Sequence, residues 1–132
     1  MAEGFARQLC GDLIEAYSAG TDPHGMNLRA IAAMAEAGVD ISPAAGYRSK
    51  HVNELLSVPF DYVITVCGHA AETCPIFPGR AKVVHVGFDD PPKLAKDAGA
   101  TTDEEAIPHY RRVRDEIKQF IETFEETVKA RA

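Results

Sequence analysis

Positive charge is scarce in this chain: 14 Lys and Arg stand against 20 Asp and Glu, a formal net charge of −6. No run of Lys or Arg exceeds two residues. A polyanion finds no continuous cationic footprint here, which argues against non-specific nucleic-acid binding. Long apolar runs are missing as well. None approaches the roughly 20 residues a membrane-spanning helix needs, so no membrane association is expected. The opening Met1-Ala-Glu-Gly-Phe-Ala-Arg7 has no secretory pattern, and a cytoplasmic location is the expectation. Cysteine is limited to Cys10, Cys67 and Cys74. In a reducing compartment three thiols do not make a disulfide scaffold; they are inert core thiols or chemically active ones. Repeats and low-complexity tracts are absent. What is there is 132 residues with 45% apolar side chains, a composition that argues against disorder and suffices for one domain with a modest core.

Apolar periodicity divides the chain into helices and short strands. Met1, Phe5, Leu9 and Leu13 share a stripe at spacing four, which predicts a first helix over residues 1–13. Residues 16–20 read as a short strand ended by Gly20, and 21–25 as a turn with Pro23 and Gly25. Asn27 is placed to cap a helix over 28–37, with Gly38 just past its end. Leu28, Ile31, Ala32 and Ala35 are expected to face inward. Residues 50–56 read as a weak helix that Pro59 breaks. The β-branched run 62–66 reads as a buried strand, and 81–86 as a second apolar strand. Residues 93–101, polar and rich in Ala and Gly, read as a surface insertion. The longest helix is expected over 103–128, with Ile107, Tyr110, Val113, Ile117, Phe120, Ile121 and Phe124 as its stripe. Pro108 belongs in its first turn or delays its start. Helices alternating with short apolar strands predict an α/β domain with a parallel sheet, where ligands bind beyond the strands' carboxyl ends.

Cys67 stands at such an end, directly after the run 62–66, and Cys74 follows seven residues later. If the intervening residues are helical, positions seven apart lie roughly 10 Å apart along the axis. A disulfide needs Cα atoms within about 7 Å. The pair bonds only if that turn unwinds, which would make it a redox switch. Other candidates have bland readings. Cys10 reads as a helix-face residue. Asp89 reads as a turn or capping residue and Arg112 as part of a solvated helix face, as does Arg114 unless it pairs with a carboxylate. His69 and His85 near the cysteines lack the tight Cys/His pairs of structural zinc sites, so no metal is expected.

Several stretches in order, Met1-Ala-Glu-Gly-Phe5, Tyr17-Ser-Ala-Gly20, His24-Gly-Met-Asn27, Val66-Cys-Gly68 through Cys74-Pro75, Gly87-Phe-Asp-Asp-Pro91 and Arg112-Val-Arg-Asp-Glu-Ile117, together resemble thioredoxin-coupled arsenate reductases. The resemblance covers nearly the whole chain. It implies the three-layer α/β/α fold of low-molecular-weight tyrosine phosphatases, over a single domain of residues 1–132. It also implies a division of labour. Asp90 matches the general acid that protonates the leaving oxygen. Cys67 matches the thiol that releases arsenite, and Cys74 the thiol that takes over the resulting disulfide. Thioredoxin is the implied partner, arsenate and arsenite the implied ligands, and no cofactor is implied. Glu3 and Ser18 match two ligands of a cation that some members bind, whereas the position of the expected carboxylate is Tyr47.

One departure stands out. In that family a first strand and a phosphate-cradling loop, with the nucleophilic cysteine and an anion-binding arginine, precede the segment that here begins at Met1. The expectation is a domain truncated at its N-terminus relative to the family, through a start assigned at an internal Met or as a genuine loop-less relative. Cys10, with no Arg five or six residues on, does not replace the nucleophile. As written, the chain is expected not to turn over arsenate. Since the missing strand is central in the family's 2-1-3-4 order, the sheet is expected to be a depleted three-stranded one, or to take a strand from a partner chain in a strand-exchanged homo-oligomer. Two alternatives stand beside the reductase: a non-catalytic redox or arsenite-responsive dithiol switch, and a tyrosine phosphatase, which the cysteine pair disfavours.

Overall fold

The computed structural model describes residues 1–19, 27–47, 50–66 and 81–131. Among the described residues four helices and a short parallel sheet follow in the order α1 (Ala2–Cys10), α2 (Leu28–Glu36), β1 (Tyr62–Thr65), β2 (Lys82–His85), α3 (Pro91–Asp97) and α4 (Asp103–Arg131). Two 3-10 turns, Pro43–Ala45 and Val52–Leu55, lie between α2 and β1. α1 stops at Cys10, three residues before the expected end, where Gly11 and Asp12 are poor helix formers. Leu13 is left outside it, 40% exposed.

α4 is the spine. It packs against α1, α2 and α3. Thr102 starts it, its hydroxyl accepting from the Glu105 N–H at 3.2 Å, as a cap residue does. Asp103, Glu104 and Glu105 then place negative charge at the positive end of the helix. Pro108 lies in the second turn, neither in the first nor ahead of the helix. The length of α4 carries it across the one hydrogen bond that proline cannot donate.

Its apolar stripe divides into two packing zones. Val113, Ile117 and Ile121 join Phe5, Ala6, Cys10, Met34, Val39 and Ile41 in the larger core. Ala106 and Tyr110 meet Ala33 and Ala95 in a second, built mainly from small side chains. Cys10 is therefore a core residue, 3% exposed. Ala95 contradicts the surface-insertion reading of 93–101. It is 2% exposed on α3, where small apolar residues let two helices approach closely.

α2 forms as the capping pattern requires. The Asn27 side chain accepts from the N–H groups of Arg29 and Ala30, and Gly38 follows with φ +82°. The buried face differs from expectation. Ala33 and Met34 are fully buried, while Leu28 is 80% exposed and Ala32 and Ala35 are also exposed. The run Leu28-Arg-Ala-Ile-Ala-Ala-Met-Ala35 is apolar on nearly every side, so spacing alone left its rotation open. Docking on α4 chose it.

β1 and β2 pair in parallel, Tyr62 opposite Lys82 through Thr65 opposite His85. Among the described residues the sheet has these two strands, one fewer than expected. Residues 16–18 form no strand. No strand lies beside them among the described residues to take up their backbone groups, and side chains hold them instead.

Candidate functional site

The carboxyl ends of the two strands open side by side. Pairing outlasts the strands: the Val86 N–H donates to the Thr65 carbonyl at 2.8 Å, and the Phe88 N–H to the Val66 carbonyl at 3.1 Å. One residue after Val66 comes Cys67, and two after Phe88 comes Asp90. Thr65, 6% exposed, shares a 2.7 Å hydrogen bond between its hydroxyl and Nδ1 of His85, its register partner. This side-chain bond adds to the backbone pairing at the sheet edge where both segments depart. His85, read from its neighbours as a weak metal candidate, is engaged with a hydroxyl.

Cys67 and Cys74 lie outside the described residues, as do His24 and His69. Asp90 is described. It is the residue before α3, extended at φ −86° and ψ 112°, the conformation that a following proline imposes. Pro91 and Pro92 fill the first positions of α3 and carry no N–H. A capping carboxylate ordinarily binds the N–H groups there. That of Asp90 makes no such bond and stays exposed and uncommitted.

Its neighbour Asp89 is neither a turn brace nor a cap. The Arg112 guanidinium donates to Asp89 Oδ2 at 2.7 Å, joining α4 to the loop after β2. The Phe88 ring packs edge-on against Phe120 of α4, centroids 6.0 Å apart. Arg112 stands on a solvated helix face as expected, its side chain 52% exposed, and adds this ion pair. Arg114 takes the carboxylate pairing that the sequence left open. Its side chain is 12% exposed, donates to the Ala33 carbonyl at 2.8 Å and pairs with Glu36 and Asp115. No spacing rule joins residues 23 or more positions apart, so the Asp89 and Glu36 partners were not legible beforehand.

Glu3 and Ser18 do come together, the Ser18 hydroxyl donating to the Glu3 carboxylate. The positive charge there is the protein's own. Arg7 pairs with Glu3 at 2.7 Å, donates to the Ala16 carbonyl at 3.3 Å and lies 5.1 Å from the Tyr47 ring centroid, within cation–π range. A guanidinium thus serves the nearly buried Glu3 carboxylate. Cys10 is chemically quiet. Burial pushes its thiol pKa up, Glu125 adds to the rise, and Lys129 offsets part of it.

The pattern of the low molecular weight phosphotyrosine protein phosphatase family matches residues 1–132. An arsenate reductase of Halalkalibacterium halodurans is 47% identical over 129 residues, which cover 98% of this chain and 87% of that protein. One of Bacillus subtilis is 43% identical, with the same coverage of each. A solved arsenate reductase in the phosphate binding state superposes with a TM-score of 0.69 at 26% identity, over 96% of this chain and 86% of that one. The chain belongs to the low molecular weight phosphotyrosine protein phosphatase family, with its three-layer α/β/α fold and parallel sheet, and its relatives within that family are arsenate reductases.

Proposed function

We propose that this protein reduces arsenate to arsenite through a cysteine relay that thioredoxin recharges, acting as a single domain in the cytoplasm. The observation that carries the reading is the backbone bond between Phe88 and Val66, which makes the segments bearing Asp90 and Cys67 leave one sheet edge together. Ligands of open parallel sheets bind at that edge.

The chemistry runs in three exchanges. A loop thiolate displaces an oxygen of arsenate, and Asp90 protonates that oxygen so that it leaves as water. Cys67 then attacks the sulfur of the arseno-cysteine. A disulfide forms, the As–S electron pair stays with arsenic, and arsenite departs. Cys74 attacks Cys67 of that disulfide, which frees the loop thiol and leaves Cys67–Cys74. The thioredoxin dithiol reduces this bond by exchange and is itself oxidised. Attack needs the thiolate, and a helix N-terminus or anion-binding pocket lowers a thiol pKa enough to supply it. Besides Cys67 and Cys74, Cys10 is the remaining thiol of the 132 residues, and it lies buried.

The test is arsenate-dependent oxidation of thioredoxin, measured with the 132-residue polypeptide and with one translated from the codons preceding Met1. Turnover in the longer form alone is expected, and Cys67→Ser or Cys74→Ser should abolish it. Turnover in neither form, together with a reversible Cys67–Cys74 bond in both, overturns the reductase reading in favour of a dithiol switch. Thioredoxin-independent release of phosphate from a phosphotyrosine peptide would favour a phosphatase.

A further inference from the structure

We propose that Arg112 is a positioning residue for Asp90, acting through Asp89. The proposal rests on the reading of Asp90 as proton donor and adds how that carboxyl is aimed. β2 ends at His85 and α3 begins at Pro91, so residues 86–90 span the gap. Each of them is adjacent to or part of an anchor, and the Asp90 carbonyl accepts from the Leu94 N–H of α3 at 3.0 Å, but no anchor holds the Asp90 carboxylate itself. Val86 and Phe88 are tied to β1 by backbone bonds. The Phe88 ring leans on Phe120, and Pro91 is buried. The Asp89 carboxylate is held by the Arg112 guanidinium. The Asp90 carboxylate makes no capping bond; Pro92 removes one of the two N–H groups that ordinarily supply it, and that of Lys93 is not engaged.

Arg112 and Phe120 stand eight residues apart on α4, a little over two turns, so one rigid helix grips the loop at two points. The Phe120 contact fixes Phe88. Between Phe88 and Asp90 the backbone torsions of Asp89 remain; the 2.7 Å bond to the guanidinium restrains them from α4, while the Leu94 N–H bond to the Asp90 carbonyl holds the far side from α3. Both side chains of the pair are more than half exposed, at 52% and 62%. Such pairs add little to global stability. The consequence of this one is local: it sets where the next residue's carboxyl points. A proton donor has to meet its oxygen within hydrogen-bond reach, and small misplacements cost rate rather than fold.

A double-mutant cycle tests this on the form of the protein that turns over arsenate. Arg112→Ala is expected to lower kcat about tenfold while KM stays within about twofold, the mark of an interaction felt in the transition state. In an Asp90→Asn background the same change should add less than about twofold, since a residue that acts through another has nothing left to aim. Arg112→Lys should recover part of the loss. Equal losses in both backgrounds overturn the inference and make Arg112 merely structural. Full kcat in Asp90→Asn alone overturns the proton-donor reading, a separate failure. A second measurement needs no turnover: in the 132-residue chain, Arg112→Ala should lower the NMR amide order parameters of Asp89 and Asp90 and leave that of Ala95 unchanged. Unchanged order at all three overturns the inference by itself.

Discussion

Gly4 stands in the first turn of α1 because nothing larger fits. A Cβ there would meet Ile41 Cγ2 at 2.6 Å and Met34 Cε and Val39 Cγ1 at 3.1 Å each. Ile41 is β-branched and 3% exposed, so it has little room to turn away. Glycine ordinarily costs a helix interior about 1 kcal/mol against alanine. Here the close approach of α1 to Val39 and Ile41 reverses that preference. Gly4→Ala is expected to destabilise the protein by about 1–2 kcal/mol, the overpacking cost less the propensity gain, as read from urea midpoints. The sequence could announce a glycine in a helix but not its neighbours. Asn27 is the opposite case. Its capping role was legible from local pattern alone, whereas its donation to the Tyr110 hydroxyl at 2.9 Å joins residues far apart in the chain and was not.

Helices α2 and α4 are clamped by charge as well as packing. Arg111 grips Glu36 with two hydrogen bonds of 2.7 Å, and Arg114 reaches the same carboxylate at 3.3 Å. The Arg111 bond, ahead of every other influence, holds the Glu36 carboxyl below the usual carboxylate range. A group whose folded pKa is depressed stabilises the fold above its unfolded pKa, and that contribution is lost as pH falls through the folded value. Glu36→Gln should therefore lower the denaturation midpoint at pH 7. The difference from the parent protein should fade below about pH 4, where the unfolded carboxyl is protonated. A cost that persisted undiminished at pH 3 would assign the effect to packing. The same element shows where periodicity fails. α2 is apolar nearly all round, so its existence and its cap were readable while its buried face was not. The expected stripe began with Leu28, which is exposed, and the face that docks carries Ala33 and Met34. α3 was missed because Ala95 looks like surface composition until Ala33, Ala106 and Tyr110 close around it.

At the scale of the molecule, α4 runs past two hydrophobic clusters, and Cys10 lies inside the larger one. Its thiol is reachable only when that cluster opens, and burial keeps it protonated. In a Cys67→Ser/Cys74→Ser variant, Cys10 should react with a thiol reagent at a rate that tracks global unfolding and rises steeply with urea. Rapid labelling in native buffer would show that α1 detaches on its own. The described sheet is short for the same reason that its edge matters. With β1 and β2 alone paired among the described residues, the segment 16–18 forms no strand and is held by Arg7 and Glu3.

Local pattern was enough for the alternation of helices and strands, the caps at Asn27 and Gly38 and the stripe of α4. Each of these depends on neighbours within a few residues, and their physics is short-ranged. The rotation of α2, the burial of Ala95, the charge that serves Glu3 and the hold of Arg112 on Asp89 were decided only when the chain closed on itself. Those contacts join residues too far apart in sequence for any period to connect, and loop closure and side-chain packing select their partners.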